Sequence, residues 1–329
     1  MDRVLLFGMG PTALSALESL AARFQLVGLI RDTRPSAETD KVVELAQALQ
    51  VPVFLDLSIA GVEQTVIQTS PDCVVVSSYD RILPSRVLRR CRFVNVHYAP
   101  LPEYRGRANV NWAIINGEPE AAITVHVIAP GLDAGNILYQ QRVPIGADDT
   151  VADLYSKLNE VQREVLGDTV ANYISGYKGV PQDESAATYG CTRIPDDGEI
   201  NWASTTRQIY ALVRALAPPY PGAHTYLEGR RINILRAAPL SDAPRYVGRI
   251  PGRVVSRSRQ NGHVDVLTGD GVLRIYEVRA GEEAATPAST LIASMRQTLG
   301  LRTADLLARI EVLESRLNRL GSADPDSDT

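Results

Sequence analysis

The stretch VNVHYAPLPEYRGRANVNW, residues 94–112, marks the point where a strand gives way to a stiff, polar loop. Side chains two apart on a strand share a face, so Asn95 and His97 point the same way where the strand ends. Pro100 and Pro102 have no amide hydrogen to offer a ladder, and they fix the chain's exit. Upstream, RVLLFGM (3–9), LVGLIR (26–31), VPVFL (51–55), CVVVS (73–77) and RFVNVH (92–97) read as strands. TALSALESLAAR (12–23) and residues 40–49 carry helical spacing between them. Strands that alternate with helices and are apolar throughout indicate a parallel sheet covered on both faces. The fold class is therefore α/β, a Rossmann-like doubly wound sheet. Two longer strands follow (121–128 and 136–145), then an amphipathic helix over 148–174 whose acidic start suits the positive helix end.

Beyond that helix the chemistry changes. The catalytic domain is expected over 1–178, and the Gly-, Pro- and acid-rich residues 179–203 as a linker. STTRQIYALVRALA reads as a helix stopped by Pro218 and Pro219. The short alternating strands AHTYLE, RINILRA, GRVVSR, HVDVLTG and VLRIYEV then suggest a small β-barrel of the oligonucleotide-binding type, OB-like, over 204–285. Residues 286–320 are expected to be helical. Leu306, Ile310, Leu313, Leu317 and Leu320 form a heptad seam there, which predicts a homodimer through the C-terminal helix. The acidic residues 321–329 read as a disordered tail.

Composition narrows the function. Hydrophobic content of 45% and charged content of 22% suit a globular domain, and a net charge of −4 disfavours a generally basic nucleic-acid binder. Cys73, Cys91 and Cys191 make no CxxC pair, so neither a disulfide framework nor a zinc site is expected, and no metal. No apolar run approaches the ~20 residues a membrane span needs. A cytoplasmic protein is expected, with no membrane association.

Two places carry candidate chemistry. FGMGPTALSALE follows a strand and opens a helix, with Asp32 closing the next strand. Its third small position is Leu14 or Ser15, so it reads as a nicotinamide site, as a plain βα turn, or as a loop holding a substrate phosphate through Gly8, Met9 and Gly10. The second place joins Asn95 and His97 to Asp133, which sits in APGLDAGNI between Gly131 and Gly135. An imidazole held by a carboxylate takes a proton and an amide donates to a developing oxyanion, a set suited to acyl transfer onto an amine. The plainer readings are a surface histidine and an ordinary turn aspartate. His126 is the competing imidazole, and Cys91 reads as structural.

NVHYAPLPEYRGRANVNW followed by GLDAG resembles the folate-dependent formyltransferases, among them methionyl-tRNA formyltransferase and the nucleotide-sugar N-formyltransferases. The resemblance runs from residue 1 to about 285, with Ala99 and Pro100 replacing the usual Ser-Leu. It implies that Asn95, His97 and Asp133 are catalytic and that 10-formyltetrahydrofolate is the formyl donor. It further implies that Ser78, Tyr79, Ile82, Leu83, Val127, Gly131 and Asp133 lie against the pterin. Arg105 and Asn109 are then expected, with the 8–10 loop, on the acceptor. Methionyl-tRNA formyltransferases carry a long basic insertion, whereas RDTRPSAETDK (31–41) is short and balances three basic residues with three acidic ones. RGRANVNWAIINGE is closer to the sugar enzymes, and the expected acceptor is a nucleotide-linked amino sugar. Against this, RYVGRIPGRVVSRSR (245–259) holds five arginines and no acid. A tRNA acceptor, a small siderophore or antibiotic amine, and a decayed dimeric binding module are the alternatives.

Overall fold

The computed structural model describes residues 1–9, 12–31, 37–79 and 81–321, and for residues 37–40, 320 and 321 the backbone alone. The expected tail beyond residue 321 and the Leu320 side chain thus lie outside the described residues. The chain divides into two compact units, Met1–Ala113 with Glu118–Arg193, and Ile194–Thr329 with Ile114–Gly117.

In the first unit the elements run β1 (Arg3–Gly8), α1 (Ala13–Ala21), β2 (Gln25–Ile30), α2 (Ala37–Ala48), β3 (Val53–Phe54), α3 (Ile59–Thr69), β4 (Cys73–Ser77), α4 (Ser85–Leu88) and β5 (Arg92–His97). They continue as β6 (Arg105–Gly106), α5 (Asn109–Asn116), β7 (Glu120–Val127), β8 (Ile137–Pro144), α6 (Val151–Ile174) and β9 (Tyr189–Gly190). The main sheet has the order β3-β2-β1-β4-β5-β7-β8. Strands β1 to β5 pair parallel, and β7 lies antiparallel to both β5 and β8. The doubly wound reading therefore holds for the first half of the sheet, and the two longer strands complete it as a mixed one. Every residue of β4 is buried, as expected for a β-branched strand with helices on both faces.

Local chemistry sets the helix ends. Thr150 caps α6 by accepting from the Asp153 amide (3.3 Å), while the Asp153 carboxylate accepts from the Thr150 amide (2.9 Å). The buried Gln162 of α6 donates to the Thr12 carbonyl (2.9 Å), and the Ser77 hydroxyl donates to that of Thr12 (2.8 Å). The turn after β1 is thereby tied to the end of β4. Gly8 serves packing there: a Cβ on it would stand 3.0 Å from that of Ala13.

The second unit holds α7 (Thr206–Ala215), β10 (Ala223–Leu227), β11 (Arg230–Pro239), β12 (Val254–Arg257), β13 (Val264–Leu267), β14 (Val272–Ala280), β15 (Thr286–Pro287), α8 (Ala288–Leu291) and α9 (Thr303–Gly321). Its strands form an antiparallel sheet in the order β10-β11-β14-β13-β12, with β15 on β14. Bridges Leu227–Leu299 and Arg253–Thr298 join its two edges. The core gathers Ile200, Trp202, Ile209, Val213, Ile234, Val266, Ile275 and Leu299. Two expectations are corrected. The segment 179–203 is no free linker, because it is bonded into the first unit through Arg193 and supplies Trp202 to the second core. Residues 286–302 do not run into α9 as one helix, since Thr298 and Leu299 close the barrel before α9 begins. Among the described residues no helix is long and apolar enough to cross a membrane.

Candidate active site

The end of β5 delivers Asn95 and His97 to one face, as their spacing requires. Across the sheet, Asn95 lies opposite Val76 of β4 and His126 of β7, and His97 lies opposite Thr124. His97 is buried, 6% exposed, and His126 more deeply still. The third member arrives on the β7–β8 connection. Asp133 Oδ2 stands 3.7 Å from His97 Nδ1 and its Oδ1 stands 3.6 Å from His126 Nε2, while the Gly106 amide donates to Oδ2 at 2.9 Å. The expected trio therefore converges, and His126 joins it as a fourth group.

A carbonyl oxygen only accepts and an amide nitrogen only donates. His97 Nε2 stands 2.9 Å from the Tyr104 carbonyl and 3.0 Å from the Asn109 amide nitrogen, and Nδ1 faces Asp133. His126 Nδ1 is 3.0 Å from the Val127 carbonyl, so its hydrogen is there and Nε2 accepts from Asn95 Nδ2 at 3.1 Å. Burial, and after it the neighbouring His97, lowers His126 from the ordinary 6.5 to about 4. His126 is accordingly neutral near pH 7. It holds the Asn95 amide in one orientation and leaves the second Nδ2 hydrogen available.

The backbone around these groups is held away from its usual conformations. Ser78 (φ 65°), Tyr104 (φ 57°), Ala108 (φ 60°) and Asp133 (φ 50°) all occupy the left-handed region without being glycine. Such strain persists where the surroundings over-determine it and gathers at functional sites. Gly135 admits no side chain, because a Cβ would lie 1.8 Å from the Val127 carbonyl.

The remaining expected residues divide. Arg105 is buried, and its guanidinium donates to Glu184 (2.7 and 2.8 Å), Gln182 (2.8 Å) and the Tyr189 hydroxyl (3.3 Å). Its donors are thus held by protein groups, and through its hydrogen bond it lowers the Glu184 carboxyl from its ordinary value. Asn109 lies behind His97, donating to the Gly106 carbonyl (3.1 Å) with its amide nitrogen 3.0 Å from His97 Nε2. Leu83 packs in the core with Leu5, Phe7 and Val74. Ile82 is 87% exposed, and Tyr79 donates to the Leu57 carbonyl (3.1 Å). Ser78 shares a hydrogen bond with Thr12 (3.0 Å). The Met9 amide donates to the Ser77 carbonyl (3.2 Å), while Gly10 and Asp32 lie outside the described residues. Val127 donates to the Asn136 carbonyl (2.9 Å), and Gly131 (φ 102°) opens the turn to Asp133.

Sequence reasoning missed Gln182. Its amide donates to the Asp133 (2.6 Å) and Gly135 (2.7 Å) carbonyls, and its oxygen accepts from Arg105. β9 pairs parallel with β6, which lays this segment against the site. No pattern in a Gly- and Pro-rich stretch marks such a residue. Among the described residues no group of three or more His, Cys, Asp or Glu is placed to hold a metal ion.

Comparison with known proteins gives a consistent picture. Residues 57–170 match the family described as Formyl transferase, and residues 194–296 match Formyl transferase, C-terminal domain. The methionyl-tRNA formyltransferase of Streptococcus thermophilus is 30% identical over 293 residues, covering 85% of this chain and 91% of that one. That of a Synechococcus species is 33% identical over 318 residues, covering 91% and 98%. Among solved structures, WlaRD, a sugar 3N-formyl transferase determined in the presence of dTDP and 5-N-formyl-THF, aligns with a TM-score of 0.62 at 18% identity, covering 86% of this chain and 99% of that one. HypX from Aquifex aeolicus in complex with tetrahydrofolic acid aligns with a TM-score of 0.64 at 19% identity. The match covers 90% of this chain, which spans about half of HypX (47%). At these identities the last two likenesses are likenesses of fold.

Proposed function

Because this chain belongs to the formyl transferase family, we propose that it moves a formyl group from 10-formyltetrahydrofolate to the primary amine of a nucleotide-linked amino sugar, in the cytoplasm. The observation that carries the chemistry is the meeting of Asn95, His97 and Asp133 at the end of β5. The donor supplies an activated formyl carbon for direct attack by the amine. Asn95 directs its free Nδ2 hydrogen at the formyl oxygen as negative charge gathers there. His97 receives the proton that the attacking amine loses. Asp133 sets its charge beside the imidazolium so formed. As the tetrahedral centre collapses, the bond from the formyl carbon to N10 of the folate breaks, that nitrogen takes the proton back from His97, and tetrahydrofolate leaves. His126 stays neutral and keeps the Asn95 amide aimed. The residues present suit a flat donor that is part apolar, since the 78–83 and 131–135 loops each expose a large apolar side chain, Ile82 and Leu132.

For the acceptor, the arginines of 245–259 weigh against a nucleic acid grip. Arg249 donates to the Thr268 and Gly271 carbonyls, Arg253 to Thr298, and Arg257 to the Ser289 and Ile292 carbonyls. Three of the five are thus tied to neutral acceptors within the domain, which leaves fewer of their N–H groups to reach phosphates. A tRNA acceptor is the second reading. It is favoured by the two relatives named above and by the fourteen arginines against seven acidic residues over 204–302. Formyl transfer from 10-formyltetrahydrofolate, measured on a panel of nucleotide-linked 3-amino and 4-amino sugars and separately on methionyl-tRNA, decides between them. Turnover of a sugar supports the first reading. Turnover of tRNA alone replaces it with the second, and turnover of neither refutes both.

A further inference from the structure

Helix α9 touches little of the domain it follows. From Thr303 to Arg319 no side chain is buried, and Leu306, Ile310, Leu313 and Leu317 are 42–66% exposed. These four positions are spaced 4, 3 and 4, so they form one stripe. A single helix of nineteen residues with no packed face is only marginally stable in water. The ends suit a helix, with Asp305 in the first turn and Arg319 in the last, but end effects do not cover an apolar stripe.

We infer that α9 pairs with α9 of a second copy of this chain as a parallel two-stranded coiled coil. Charge selects both the partner and the direction. With Leu306 and Leu313 at d and Ile310 and Leu317 at a, the flanking g positions are Arg309 and Arg316, and Glu314 is the e position five residues after Arg309. In a parallel pair a g residue meets the partner's e residue of the next heptad, so Arg309 faces Glu314 of the partner subunit, twice by symmetry. In an antiparallel pair g faces g, which sets Arg309 against Arg316 and repels. The β-branched Ile310 at a with leucine at d also favours two strands over three. The stripe is therefore complementary to itself in one orientation. Leu307 at e widens the apolar face on the side away from the arginines.

The proposal does not depend on which amine is formylated, and its readout is molecular mass. Sedimentation of the full chain over a range of concentrations should give a species of twice 35.8 kDa that dissociates on dilution. Arg309→Glu alone and Glu314→Arg alone each place like charges at both contacts, and each should sediment as a monomer with an unchanged circular dichroism spectrum for the folded domains. Mixing the two variants sets the carboxylate introduced by the first against the guanidinium introduced by the second. The other contact of that mixed pair keeps its native Arg309 and Glu314, so the mixture should sediment as a dimer. A wild-type chain that stays monomeric throughout overturns the inference. Single variants that dimerise as well as wild type, or a mixture that fails to associate while wild type does, overturn the parallel pairing.

Discussion

Acid should weaken this protein through one residue whose burden can be sized. His126 is held at about 4 against an ordinary 6.5, because burial and the neighbouring His97 disfavour its charged form. Below pH 6.5 the unfolded chain binds a proton there that the folded chain refuses. Stability therefore falls as pH drops from 6.5 toward 4, is fully present above that window, and levels off beneath it. Each pH unit in the window costs about 1.4 kcal/mol, so going from about pH 7.5 to about pH 5 should remove roughly 2 kcal/mol, with a limit of the order of 3 kcal/mol. To isolate this residue the comparison is with His126→Gln. Its side-chain oxygen still accepts from Asn95 while the titration is gone. Urea unfolding of both proteins across pH 5 to 7.5 reads the difference. The wild type should lose about 2 kcal/mol more than the variant over that interval. Equal pH slopes would mean that His126 is not a buried neutral acceptor and that the Asn95 orientation drawn from it is wrong.

Other perturbations probe the site at separate points. Asn95→Ala should lower kcat by about 10²- to 10³-fold with little change in melting temperature, as expected for loss of one oxyanion donor; turnover near wild type would remove Asn95 from the mechanism. Gln182→Ala should cut kcat by roughly tenfold or more, since the Asp133 loop loses the two hydrogen bonds that Gln182 gives it and small displacements at a reacting centre are costly. An unchanged kcat would show that the loop holds itself. Gly135→Ala should destabilise the protein by about 2 kcal/mol or more, read as a fall in melting temperature, because its Cβ has no space beside the Val127 carbonyl. Arg105→Lys should lower the melting temperature while leaving the KM for the acceptor within about twofold, because a lysine cannot replace the forked contacts to Glu184 and Gln182. A large rise in KM would return Arg105 to the substrate.

Several features were readable from the chain alone because they depend on neighbours in sequence. The apolar runs 3–8, 73–77 and 92–97 announce buried strands whatever surrounds them. Asn95 and His97 share a face because a strand has a period of two. The glycines around Asp133 declare a loop that bends sharply, and the heptad leucines declare a stripe on α9. The pairing of β5 with β7 lay beyond that reach. His126 reads as one more residue of an apolar strand until the register sets it opposite Asn95, thirty-one positions earlier. Segment 182–190 reads as a linker because its work is done by Gln182 and Glu184 closing on Arg105, which no local pattern announces. Local patterning thus determined the elements and the face on which the chemistry sits. Only the tertiary structure decided which side chains complete that face, because strand register and loop closure join residues whose separation in sequence carries no periodic signal.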